Sequence, residues 1–65
     1  MSKRKLSAEL QTGDCVVMPW SENKVIADFE DGGAFPYIER IAVFTDGTYM
    51  CLEKGLDYEV MEETA

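Results

Sequence analysis

This chain contains short runs of strand-forming residues, and those at residues 24–30 and 56–60 alternate hydrophobic and polar residues with the two-residue period of half-buried β-strands. Turn-forming residues separate five such runs, at residues 15–18, 24–30, 37–45, 48–53 and 56–60. In the second run, Val25, Ala27 and Phe29 are predicted to share one face, and Lys24, Asp28 and Glu30 the other. Residues 6–11 fit either a single helical turn capped by Ser7 or an extended lead-in whose Leu6 and Leu10 cover one end of the core. The pattern predicts an all-β fold.

Asp46-Gly47 lies between the third and fourth runs and is typical of a two-residue type I′ hairpin. Such a turn sets the register of the strands that it joins. It would place Phe44 opposite Tyr49, and Arg40 opposite Glu53 as an ion pair. One face would then hold the core side chains Ile41, Val43, Met50 and Leu52. The other would hold Arg40, Ala42, Phe44, Tyr49, Cys51 and Glu53.

A Leu-x-x-Gly-Asp-x-Val opening at Leu10–Val16, the Asp-Gly hairpin and a short turn before a brief last strand resemble the small SH3-like barrels, including the KOW and Tudor types. The resemblance covers residues 10–61 and implies a five-stranded, partly open barrel. It would leave residues 1–9 as a basic tail or helical turn and residues 62–65 as an acidic tail. Members of this family bind extended peptides or RNA through surface aromatics, which here would be Trp20, Phe35, Tyr37, Phe44 and Tyr49.

The charge of the 65-residue chain is −7 and is unevenly distributed. From Leu6 onward, three cations against thirteen acids leave −10. Such a body repels phosphate backbones and favours a partner protein with a basic surface. No apolar run approaches the roughly 20 residues of a membrane span, and no apolar stretch follows Lys3-Arg4-Lys5 as in a secretory signal. We therefore expect a cytoplasmic protein.

The residue inventory argues against catalysis and against a bound metal or cofactor. Histidine, the commonest general base and metal ligand, is absent. The two cysteines, Cys15 and Cys51, form no Cys-x-x-Cys motif. We expect them to be free, partly buried thiols, although a disulfide could form if their Cα atoms approached within roughly 7 Å.

These observations predict a small acidic module that docks on another protein. Aromatic residues would supply buried contact area and acids would steer a basic partner. The predicted binding face comprises Trp20, Tyr37, Arg40, Phe44 and Tyr49, with rim acids Asp28, Glu30, Asp31 and Glu53. The loop aromatics could instead close the ends of the barrel.

Three other functions remain open at this stage. The first is an acidic phage or mobile-element inhibitor that mimics nucleic acid. The second is a structural domain that buries Phe44 and Tyr49 against a second copy. The third, single-stranded nucleic acid on an aromatic platform, needs a basic groove that the charge count disfavours.

Overall fold

The computed structural model describes residues 2–62, which form one antiparallel sheet and no helix. The strands are β1 (Ser2–Leu6), β2 (Cys15–Val16), β3 (Lys24–Asp31), β4 (Ile38–Phe44), β5 (Tyr49–Glu53) and β6 (Asp57–Met61). Their order across the sheet is β1-β6-β2-β3-β4-β5. The all-β prediction is confirmed. The two edge strands, β1 and β5, do not contact each other, so the sheet is open.

Residues 2–6 of the basic N-terminal segment form strand β1, in addition to the five predicted strands, so the predicted tail is wrong for these residues. Strand β1 pairs with β6 from Ser2 opposite Met61 to Leu6 opposite Asp57. Two of its three cations form ion pairs, because Arg4 lies 3.0 Å from Asp57 and Lys5 lies 3.0 Å from Asp14. The acidic tail predicted over residues 62–65 lies mostly outside the described residues.

One apolar cluster lies on one side of the sheet and contains residues of β2 to β6. Its buried members are Leu10, Val16, Ile26, Ala42, Phe44, Leu52 and Val60. Leu10 belongs to the connection between β1 and β2, where Glu9 N donates to Leu6 O at 2.8 Å in a tight turn. Leu10 therefore covers the core as the extended alternative predicted, but Leu6 is 48% exposed.

Strand β3 contains a β-bulge that the alternation pattern did not reveal. Ile26 pairs with Phe44 and Asp28 pairs with Val43, so Ala27 is the additional residue. A bulge shifts the phase of side-chain alternation by one residue. Ile26 is consequently buried and Phe29 half-buried on the core side, whereas Val25 and Ala27 are exposed. The prediction that Val25 and Ala27 share a face with Phe29 is wrong.

The β4–β5 hairpin has a three-residue loop, Thr45-Asp46-Gly47, instead of the predicted two-residue turn. Phe44 N donates to Thr48 O at 2.7 Å, and Gly47 N donates to Phe44 O at 3.0 Å. Gly47 has φ +88°, and no non-glycine residue in the described chain has positive φ. A type I′ turn needs positive φ at both central residues, whereas a type I turn followed by a left-handed glycine needs it only at the glycine.

The additional loop residue slips the register of β4 against β5 by one position. Val43 pairs with Tyr49, Ala42 with Met50 and Ile41 with Cys51. Since a one-residue slip reverses which strand residues share a face, Phe44 enters the core at 3% exposure while its predicted partner Tyr49 is 72% exposed. The placement of Ile41 and Val43 in the core, and of Phe44 outside, is wrong.

Candidate functional site: an outer sheet face and a sheet edge

The side of β3, β4 and β5 that faces away from the core presents two rows of side chains. In one row, Glu30 pairs with Ile41 and Ile41 with Cys51. In the other, Asp28 pairs with Val43 and Val43 with Tyr49. We call this surface the outer face and define it by Asp28, Glu30, Ile41, Val43, Tyr49 and Cys51. Its acids lie along β3 and its apolar groups along β4 and β5.

The outer face is apolar at its centre and open to solvent. Ile41 and Val43 are half-buried, and Cys51 is exposed beside them. Tyr49 exposes 72% of its surface. Neighbouring side chains in such rows lie roughly 4.5–5.5 Å apart at Cβ, so these four residues form one continuous strip. An aromatic ring within an aliphatic strip is typical of contact surfaces between proteins.

The acids of the outer face have no cation beside them among residues 2–62. The ion pairs in this part of the chain join Arg4 to Asp57, Lys5 to Asp14 and Lys24 to Asp46. Asp28 accepts a hydrogen bond only from its neighbour Phe29 N, at 2.8 Å. The negative charge of this face is therefore not neutralised by the described part of the chain itself.

Two acids outside the outer face, Asp46 and Asp57, have specific partners that lower their pKa values. The Thr48 hydroxyl and amide, followed by Lys24, lower the pKa of Asp46 to about 2. A hydrogen bond from Arg4 lowers the pKa of Asp57, and the same contact raises the pKa of Arg4. These carboxylates stabilise turns and strand ends, so they are not free to meet a partner.

Arg40 lies on the core side of β4 and does not contribute to the outer face. Its guanidinium donates to Ser7 O and to Leu10 O, both at 2.8 Å, and stacks 3.9 Å from the centroid of the Phe29 ring. The register opposes it to Leu52 rather than Glu53, so the predicted Arg40–Glu53 ion pair is not formed. Through these two hydrogen bonds, Arg40 instead links the β1–β2 connection to β4.

The remaining predicted aromatics lie at opposite ends of the sheet. Trp20, 94% exposed, belongs to the β2–β3 connection at the same end as the β4–β5 turn. Tyr37, 57% exposed, lies in the β3–β4 connection with Phe35, at a ring-centroid distance of 5.8 Å. The eight residues of β3 separate these ends by roughly 23 Å. Of the predicted aromatics, only Tyr49 lies on the outer face.

The rim acids divide in the same way. Asp28 and Glu30 belong to the outer face. Asp31 ends β3 and accepts a hydrogen bond from Gly33 N at 3.2 Å. Glu53 ends β5 and is exposed, and its backbone N–H donates to the hydroxyl oxygen of Tyr58 at 2.9 Å. Asp31 and Glu53 therefore lie at the far end of the strands that carry the outer face.

Strand β5 lies at an edge of the sheet. Its backbone N–H and C=O groups point alternately toward β4 and away from it. Phe44 N donates to Thr48 O, and in an antiparallel pair such bonded positions alternate with unbonded ones. Met50 and Leu52 therefore bond to β4, whereas Tyr49, Cys51 and Glu53 direct their N–H and C=O groups away from it. The bond from Glu53 N to Tyr58 Oη has this outward direction.

Cys15 and Cys51 are both free cysteines; Cys15 is half-buried as predicted, whereas Cys51 is exposed, so the prediction that its thiol is partly buried is wrong. Residues 2–62 contain no group of three ligating side chains placed to hold a metal ion. The same residues include no helix that is long and apolar enough to cross a membrane. The chain matches no protein family, no curated protein and no solved structure.

Sequence reasoning missed Ile41 and Val43 as members of the outer face, whereas it placed Cys51 on the same face as Tyr49 without including it in the predicted binding face. The signal that could have found them is Thr45-Asp46-Gly47-Thr48 itself. An aspartate before glycine also suits a three-residue loop, because its carboxylate accepts from the backbone beyond the turn. Here Asp46 accepts from Thr48 N at 2.9 Å.

Proposed function

We propose that this protein is a non-enzymatic binding module that docks on a protein with a basic surface through its outer face. The observation that carries the proposal is the juxtaposition of Asp28 and Glu30, which lack cation partners within residues 2–62, with the apolar strip that contains Tyr49. The strip supplies contact area, and the acids supply attraction that accelerates association.

We also propose that the fold is of the small SH3-like barrel type and that the protein is cytoplasmic. The support for the fold is the strand order: β6 lies beside β2, and β3, β4 and β5 follow as a meander. This places the last strand beside the first of the five that the sequence predicts, as a small barrel requires. Strand β1 is then an addition at the edge of that unit. The cytoplasmic assignment remains an expectation from sequence.

The uneven distribution of charged side chains favours a basic protein over nucleic acid as the partner. Three of the six cations are engaged with acids, and Arg40 is bound to carbonyl oxygens. No cation lies in the two rows of the outer face. A phosphate backbone would therefore meet net repulsion there.

The test is affinity capture from a lysate of the native host with two charge-matched double variants. Asp28→Lys with Glu30→Lys alters the outer face. Glu22→Lys with Glu62→Lys makes the same charge change at exposed positions outside it. We expect a protein that the unaltered chain and the Glu22/Glu62 variant both retain and that the Asp28/Glu30 variant loses. Equal loss with both variants would show that only overall charge matters, which would contradict the proposal.

Tyr49→Ala separates the proposal from the nucleic-acid mimic. A docking face needs the ring, so we expect Tyr49→Ala to weaken capture about tenfold or more. A mimic of a phosphate backbone depends on the acids and should tolerate the loss of the ring. Capture that survives Tyr49→Ala but not the Asp28/Glu30 variant would favour the mimic.

A further inference from the structure

The two edges of the sheet differ in how they are protected against an added strand. Strand β1 carries Lys3, Arg4 and Lys5 in succession, and charged side chains, especially lysine, are a common protection of sheet edges. Strand β5 carries Tyr-Met-Cys-Leu-Glu, with neither a cation nor a proline. Of the two edges, β5 is the one whose sequence permits pairing.

The free backbone groups of β5 are those of Tyr49 and Cys51. The alternation of hydrogen-bonded positions turns their N–H and C=O groups away from β4. The next outward amide, that of Glu53, already has the Tyr58 hydroxyl beside it at 2.9 Å. The edge therefore offers two positions for backbone pairing and is closed by a side chain at the third.

We propose that β5 accepts an extended basic segment of the partner as an additional antiparallel strand. The inference rests on the proposed function and names the form in which the basic partner binds. Partner residues opposite Tyr49 and Cys51 would exchange two backbone hydrogen bonds with each. Their side chains would lie on the outer face, where the negative charge of Asp28 and Glu30 favours lysine or arginine.

The alternate partner residues would lie on the other side of the sheet. There they would adjoin Met50, which is half-buried, and Leu52, which is buried. Apolar side chains would suit these positions because they would extend the existing core. The ligand is therefore a short segment in which basic and apolar residues alternate.

A second copy of this chain is a poorer occupant of the same edge. Pairing β5 with β5 would bring together two outer faces whose acids have no cations among residues 2–62. It would also associate two chains that each carry a charge of −7. Charge complementarity favours the basic segment.

The experiment uses the full chain and a blocked peptide, acetyl-Lys-Val-Lys-Val-Lys-Val-Lys-amide, titrated to millimolar concentration. Two N-methylated forms of the peptide serve as matched probes, one methylated at the second and third lysines and one at the first and second valines. Since the lysines oppose Tyr49 and Cys51, methylation of the lysine amides should abolish binding. Methylation of the valine amides should leave it intact. On binding, hydrogen exchange of the Tyr49 and Cys51 amides should slow.

Cys51→Pro tests the same edge from the protein side. Proline lacks the outward N–H but is tolerated on edge strands, and Cys51→Thr keeps the amide as the matched control. We expect Cys51→Pro to weaken peptide binding about fivefold or more and Cys51→Thr to leave it unchanged. If Cys51→Pro does not fold, the two N-methylated probes still decide the question on the unaltered chain.

The contrary outcomes separate this inference from the proposed function. Equal binding of both N-methylated peptides would overturn edge pairing, and the proposed function would stand if the Asp28/Glu30 variant still failed to capture its partner. Absence of binding by the unmethylated peptide would also overturn edge pairing. A dimer in sedimentation that Cys51→Pro dissociates would assign the edge to a second copy and would equally overturn it.

Discussion

One region of the sheet consists of the paired strands β1 and β6, and another consists of strands β3, β4 and β5. Charged side chains are arranged in opposite ways in these two regions. In the first, cations and acids are matched across strands, as in the pair between Arg4 and Asp57. In the second, Asp28 and Glu30 lie beside exposed apolar groups with no cation partner among residues 2–62. In the first region, cations and acids pair across an edge of the fold, whereas in the second the acids of β3 are exposed to solvent.

Arg40 connects the two regions and shows how the asymmetry is maintained. It is the one cation of β4, yet it points toward the core and binds the carbonyls of Ser7 and Leu10. Had it pointed outward, it would have neutralised the acids of β3. The predictions below test this division, beginning with the largest expected effect.

Phe44→Ala and Tyr49→Ala should differ sharply in stability. Phe44 is 3% exposed in the core, so its truncation should lower the free energy of unfolding by about 3 kcal/mol or more. Tyr49 is 72% exposed, and its truncation should change that free energy by less than about 0.5 kcal/mol. Urea denaturation measures both. Similar losses for the two variants would contradict the three-residue loop and its register.

Arg40→Met should destabilise the protein even though the surface charge changes little. The variant keeps a long side chain over Phe29 but removes two hydrogen bonds of 2.8 Å to Ser7 O and Leu10 O. We expect a loss of about 2 kcal/mol in the free energy of unfolding.

Arg4→Met is the control for Arg40→Met. It removes the same charge at an exposed ion pair and should cost much less, because solvent screens that pair. Equal losses for the two arginines would show that Arg40 does not join the two regions in the way described.

Asp14→Ala and Glu30→Ala should distinguish paired from unpaired acids. Asp14 contacts Lys5 at 3.0 Å and accepts from Gln11 N at 2.8 Å, and its side chain is 20% exposed. Its removal should lower the free energy of unfolding by about 1 kcal/mol. Glu30→Ala should change it by less than about 0.5 kcal/mol. Thermal melts at low and high salt measure the difference. A larger effect at Glu30 would indicate an intramolecular role for the outer-face acids.

The smallest effect is a dependence of stability on acid pH that involves Asp46. Its pKa in the folded protein is about 2, below the ordinary value of 3.8, because the Thr48 hydroxyl, the Thr48 amide and Lys24 favour the ionised form. A lowered pKa stabilises the fold above the unfolded value, and this contribution is lost as pH falls toward 2. Asp46→Asn should therefore flatten the stability profile between about pH 4 and pH 2.

Asp28→Asn is the control for the pH dependence, since Asp28 forms no ion pair within the described chain. A profile that both variants flatten equally would assign the dependence to overall charge and not to the turn.

The sequence by itself determined the all-β class and the approximate positions of β2 to β6. Alternation over two residues and clusters of turn formers are local properties, and they persist whatever the strands pair with. It also indicated an acidic surface. The predicted binding face included Tyr49, Asp28 and Glu30, which all lie on the outer face. It did not indicate β1, because a run of three cations becomes a strand only when β6 supplies pairing and acids supply charge.

The tertiary structure determined the register of the strands and the face of the sheet on which each side chain lies. Whether Asp46-Gly47 forms a two- or three-residue loop depends on bonds from Thr48 and Lys24 to Asp46, and Lys24 lies on another strand. The bulge at Ala27 likewise brings both Ile26 and Phe29 to the core side against β4. One residue in a turn or a bulge reverses every following side chain. The chain therefore specified where strands occur, whereas packing between strands determined which side chains lie in the core and which are exposed.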